Sequence, residues 1–177
     1  MLSVPYPKWL NFILFQSLWF AAILGREQLE WLVVLLLALH IILAADLKDE
    51  LRVVLLCAAV GVAADTMLTL AGVFIFDPAP SILPVPFWLI GIWLGFAGTF
   101  RHSMSYLLAK PMIAIPAAAV AAPLSYLAGM KLGAVSFGLD IGTTAVVIGL
   151  LWACMMALFI HIVRADRSSS PPTLALT

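Results

Sequence analysis

The chain reads as an all-α, polytopic integral membrane protein: a bundle of six transmembrane helices with both termini in the cytoplasm. Three observations predict this. Of the 177 residues, 64% are hydrophobic and 10% charged, with a mean hydropathy of +1.14; an ordinary soluble domain has about 25% charged residues. Six apolar runs, each read as long enough to cross a bilayer, occupy positions 9–24, 29–45, 51–76, 86–108, 112–130 and 141–163. Lysine and arginine then set the orientation. With both termini on one side, that side holds Lys8, Lys48, Arg52, Arg101, Lys110, Arg164 and Arg167, against Arg26 and Lys131 on the other. The excess marks the cytoplasmic side of a bacterial inner membrane.

Each run is expected to be a helix, because a backbone in hydrocarbon must satisfy its own amides. The first, 9–24, carries Gln16 at its centre. That residue interrupts the apolar core, and no small-x-small site follows, so Met1 to Gly25 reads as a retained helix rather than a cleaved leader. Gly25-Arg26-Glu27 leads to the second run, which contains His40. The charged stretch from Asp46 to Arg52 is expected to be a connection. The third run holds Asp65, and Asp77-Pro78-Ala79-Pro80 follows it. In the fourth, Gly91, Gly95 and Gly98 form a small-residue stripe that lets another helix come close. Ala114, Ala118 and Ala122 form a second stripe in the fifth, where Pro116 and Pro123 should bend the helix. Trp9, Trp31 and Trp88 stand near run ends, as interfacial anchors do. Residues 1–165 make one domain, and the Ser/Pro-rich tail from Asp166 reads as disordered and cytoplasmic.

Ionisable groups within a span are costly, on the order of 2.5–3.5 kcal/mol at the centre on insertion scales, so each is a candidate for function. Asp65 lies among small residues, Gly61-Val62-Ala63-Ala64-Asp65-Thr66, which leave room for a ligand or a helix contact. His102, in Arg101-His102-Ser103, can move a proton near neutral pH, while Arg101 can extend to the interface. At a rise of about 1.5 Å per residue, His102 falls roughly 9 Å to the cytoplasmic side of mid-bilayer and Asp65 slightly outward of it. A direct Asp65–His102 bond is therefore not expected, whereas His40 matches His102 in depth and the two can share a cavity. His161 is expected nearer the surface. Gln16, Trp19, Ser103 and Tyr126, with Ser125, are candidates to line a partly polar cavity. Catalytic candidates are His102 as the proton-transfer group and Asp65 as the carboxylate orienting it or a water.

Other chemistries are excluded. Neutral formal charge gives no basic face for nucleic acid. Cys57 and Cys154 are too few for a disulfide framework and lie in apolar runs. Three scattered histidines cannot build a di-iron oxygenase site, and phosphate-loop, HExxH and GxSxG motifs are absent. No metal and no organic cofactor is expected.

Motifs across five runs carry a resemblance. Asn11-Phe12, Phe15-Gln16 and Trp19-Phe20 open it, and Asp65-Thr66-Met67-Leu68 with Gly72 continues it. Pro84-Val85-Pro86-Phe87-Trp88-Leu89, Phe96-Ala97 and His102-Ser103 follow, then Pro123-Leu124-Ser125-Tyr126-Leu127-Ala128-Gly129 and Leu132-Gly133-Ala134. Over roughly residues 9–161 the chain resembles the small bacterial inner-membrane proteins of domain of unknown function 2878. The family has no established activity, so the resemblance marks Gln16, Trp19, Asp65, His102 and Ser103 without giving them roles; Arg101 departs from its pattern. Members look to be encoded beside proteins similar to cyclopropane-fatty-acid synthases and other small membrane proteins. The resemblance therefore implies membrane-lipid (fatty-acyl) modification, as enzyme or accessory factor, with membrane lipids, a fatty-acid-modifying enzyme or other small membrane proteins as partners. Two alternatives stand beside it. One is a transport component resembling the substrate-binding subunit of energy-coupling-factor transporters, whose alanine-spaced docking face lies in a different helix. The other is a scaffold for membrane enzymes, with Asp65 and Gln16 joining helices. The small-residue stripes also allow a homo-oligomer.

Overall fold

A computed structural model describes residues 6–169. The chain is mostly helical: α1 (Lys8–Gly25) packs on α2 (Glu30–Leu43), α3 (Leu47–Leu70) on α4 (Phe87–Ala97), and α6 (Pro111–Lys131) on α7 (Ile141–Ser169). A four-residue helix, α5 (Ser105–Leu108), precedes α6, and a 3-10 turn, Arg26–Leu29, joins α1 to α2. Leu47–Leu70, Pro111–Lys131 and Ile141–Asp166 are each long and apolar enough to cross a membrane. Large apolar side chains also face outward around the bundle, among them Phe12, Val34, Leu55, Met112, Val120 and Leu150. A surface of that character is at ease in hydrocarbon and costly in water.

At one end, α3 and α6 stop by the same device. Gly72 and Gly133 adopt φ of +74° and +75°, a conformation costly for a side chain bearing Cβ. The amides of Val73 and Ala134 then bond back to the carbonyls of Leu68 and Gly129, each at 2.9 Å, closing the two helices with paired caps. Shortly beyond each glycine the chain is extended, and β1 (Phe74–Ile75) pairs antiparallel with β2 (Ser136–Phe137). The apolar run expected as a helix to position 76 therefore ends at Leu70, because the capping glycine turns the chain into this small ribbon.

Two further boundaries differ from expectation. Asp46 accepts the Asp49 amide at 3.3 Å, so the charged stretch 46–52 opens α3 instead of forming a loop, and Glu50 is carried into the interior at 2% exposure. The run 86–108 is not one helix. α4 ends at Ala97, and residues 98–104 form turns before α5. Asn11 explains the break: its amide donates to the Gly98 carbonyl at 3.1 Å, and its Oδ1 accepts the Ser103 amide at 3.2 Å and hydroxyl at 2.6 Å. A neighbouring helix thus supplies partners that a continuing α4 would have supplied to itself. α7 remains helical through Asp166 to Ser169. The rest of the tail expected to be disordered lies outside the described residues.

The two small-residue stripes do different things. On α4, side chains of the neighbouring helices occupy the space beside the glycines: Val33 against Gly91, Leu18 against Gly95 and His40 against Gly98. On α6, Ala114, Ala118 and Ala122 are buried yet border an internal cavity. α6 packs principally on α7. Pro123 has no amide to offer the Ala119 carbonyl, and Gly149 of α7 sits against that carbonyl, with room for nothing larger. The helix runs through Pro116 and Pro123 without interruption.

Candidate functional site: an apolar cavity and a histidine–carboxylate cluster

The structure divides the candidate residues between two places. The first is a cavity of about 590 Å³ between α1 and α6, backed by α4 and α7. That volume is in the range that holds a small ligand. Its walls are mainly apolar: Phe15, Trp19, Trp88, Phe96, Trp152 and the α6 alanines. Gln16, Ser125 and Tyr126 supply polar groups in this lining. Gln16, Trp19 and Tyr126 lie in this lining.

Asp65 stands behind the wall and is 1% exposed. Both of its oxygens are engaged: Trp93 Nε1–H donates to Oδ2 at 2.7 Å, and Tyr126 O–H donates to Oδ1 at 2.6 Å. Trp93 and Tyr126 themselves line the cavity. The small neighbours of Asp65 explain the arrangement. Gly61 lies one turn away on α3, and a Cβ there would overlap the Trp93 indole, so glycine lets the ring lie flat with its N–H at the carboxylate. Trp152 stacks on Trp93 at 5.1 Å, and Phe74 of β1 stacks on Tyr126 at 4.9 Å. Asp65 therefore sets two cavity-wall rings in place. Its partners are these two rings, whereas His102 is bonded to Glu50.

The second place lies at the opposite end from the ribbon. Glu50, absent from the candidates, sits at its centre. His40 Nε2 is 3.0 Å from Oε1 and His102 Nε2 is 3.1 Å from Oε2. The imidazoles meet edge to face at 5.5 Å, so His40 and His102 do share one environment. Arg101 Nε lies 3.5 Å from Glu50 Oε2, and its Nη1 donates to Asp166 at 2.9 Å, tying the start of α3 to the end of α7. Tyr6 places its hydroxyl 3.2 Å from His40 Nδ1 and its ring 4.6 Å from that of His102. Burial raises the Tyr6 phenol above its ordinary pKa. Ser103 serves this end through Asn11. His161 is exposed. His40, Glu50 and His102 offer ligand atoms that lie within 4.8 Å of one another, a set able to hold a metal ion.

Glu50, Tyr6 and Trp93 were not singled out from the sequence, and Asn11 entered only through the Asn11-Phe12 motif, not as a site residue. Glu50 was hidden in a charged run that looks like a solvated turn. Asn11 had a signal, as a second amide in the first apolar run five residues before Gln16.

The family described as "Protein of unknown function (DUF2878)" matches residues 8–158, and the chain belongs to it. No curated protein matches the chain, and no solved structure does.

Proposed function

We propose that this member of a family without an assigned activity is a six-span bacterial inner-membrane protein that binds a lipid hydrocarbon chain and serves membrane-lipid (fatty-acyl) modification. One observation carries the reading: the 590 Å³ cavity, with its largely apolar wall, lies between α1 and α6 in a bundle whose outer surface is itself apolar. A hydrocarbon chain gains by leaving the bilayer for such a site only if the walls match its shape, and the rings held by Asp65 give the wall a defined shape. Gln16, Ser125 and Tyr126 are the groups available to a polar atom on that chain. The apolar lining weighs against the water-soluble substrate that a transport subunit would carry.

The up-and-down course of the six helices supports six crossings, with the Glu50 cluster at the cytoplasmic face and the β1–β2 ribbon at the periplasmic one. A reporter fused after Lys131 should behave as periplasmic; a cytoplasmic reporter there overturns the orientation. The function is tested by comparing lipidomes of a deletion strain, a strain complemented with wild type, and one complemented with Ala118→Phe at matched expression. A lipid class lost or accumulated on deletion, restored by wild type and not by the filled-cavity variant, is the expected result. Identical lipidomes under conditions where the protein is expressed would contradict the proposal.

A further inference from the structure

We propose that His40, Glu50 and His102 form a binding site for a divalent transition-metal ion of the zinc or iron(II) class. Two imidazole nitrogens and one carboxylate are the protein ligands of many sites that keep one or more coordination positions open, for zinc in a tetrahedron and for iron(II) on one face of an octahedron. Ligand bonds of about 2.0–2.2 Å place neighbouring donors of a tetrahedral ion roughly 3.3 Å apart. Here the two nitrogen–oxygen separations are 3.0 and 3.1 Å, and all three ligand atoms lie within 4.8 Å. The imidazoles approach one carboxylate from its two oxygens, so the three side chains converge on one place.

The surroundings suit an ion in three ways. First, an imidazole nitrogen and a carboxylate oxygen at this distance need a positive particle between their lone pairs, either a proton on each ring or one shared cation. Second, His40 has an outer partner. The Tyr6 hydroxyl lies 3.2 Å from Nδ1, with the Asn11 amide nitrogen at 3.4 Å; when the hydroxyl accepts the Nδ1 proton, Nε2 is free to ligate. Third, the site is built: His40 is 6% exposed and Glu50 2%, and a Cβ at Gly98 would stand 2.7 Å from His40 Nε2. It is separate from the cavity, whose lining includes none of the three ligands.

The test uses the full chain, purified in detergent, stripped with a chelator and titrated with zinc alone. Calorimetry and metal content after gel filtration read the binding. About one zinc per chain is expected, with affinity at least tenfold weaker in His40→Ala, Glu50→Gln and His102→Ala. His161→Ala, altering the exposed third histidine, should bind as wild type. Folded wild-type protein that retains no zinc, or His102→Ala that binds as tightly as wild type, overturns the proposal. Should the ligand variants not fold, X-ray absorption of the zinc-loaded wild type decides: two imidazoles in the coordination shell support the site, and fewer contradict it. None of these readings depends on lipid, so the cavity and the metal site succeed or fail separately.

Discussion

Asp65 and Glu50 are both carboxylates on α3, both nearly inaccessible, and both bonded through each oxygen, yet their surroundings make them different instruments. Asp65 meets two neutral ring donors, Trp93 and Tyr126, in the apolar middle of the bundle. Glu50 meets two histidines and an arginine at a polar end. Neutral donors locked by stacking do one thing, which is to hold their rings where the cavity needs them. Histidines can exchange a proton for a metal ion at the same nitrogen. A buried carboxylate on an apolar helix therefore reports a functional region, and its partners decide what that region does.

Substitutions can break this contrast, and the largest effect is expected from Asp65→Ala. It leaves the Trp93 N–H and Tyr126 O–H buried without their acceptor, at about 1–3 kcal/mol for each. Thermal unfolding in detergent should drop sharply, and bound lipid should fall with it. Asp65→Asn keeps one acceptor oxygen and should lose roughly half as much. Next is Gly61→Ala, which pushes the Trp93 ring from its seat and should cost about 1–3 kcal/mol by overpacking. Its readout is a changed tryptophan emission spectrum together with a lower unfolding temperature. Rearranged lipid retention without loss of stability would show that the ring has another place to go.

Glu50→Gln sharpens the comparison from the other side. It keeps the shape and removes the charge that faces His40, His102 and Arg101, so a loss of about 1.5–3 kcal/mol is expected. Lipid retention per folded molecule should stay unchanged, since Glu50 does not border the cavity. A lipid defect equal to that of Asp65→Ala would merge the two regions into one site. The smallest effect belongs to Asp46→Ala, which removes the cap that starts α3 and should cost about 0.5–1 kcal/mol. Urea unfolding is sensitive enough to resolve it.

Much of this was legible from composition and periodicity. Apolar runs locate every long helix, because helix formation in an apolar chain follows from backbone satisfaction alone. Asp65 was legible because a carboxylate amid small apolar residues is costly in a span and so needs a partner, whether a ligand or another helix. The Glu50 cluster was not, for two physical reasons. Its carboxylate belongs to a run of charges that signals solvent until the Asp46 cap is known to start α3 early. His102 reaches it only because α4 stops at Ala97, a break imposed by Asn11 from 92 positions before Ser103. Three histidines rule out a di-iron centre by count, but a single ion needs only two and a carboxylate. The alanines of α6 and the glycines of α4 look alike in sequence. Which stripe is filled and which left open depends on the side chains opposite, and spacing does not record those.

The cavity is the account's centre, and the most direct measurement is the lipid carried by purified protein. Wild type and Ala118→Phe are purified in the same mild detergent, checked for equal unfolding temperature, and their bound lipids counted by mass spectrometry. Gln16→Leu, which keeps the volume and removes a polar group, serves as a third sample. The expected result is a defined lipid retained by wild type, several-fold less by Ala118→Phe, and retention with altered lipid selectivity in Gln16→Leu. Equal lipid in wild type and in a stable Ala118→Phe would contradict the account.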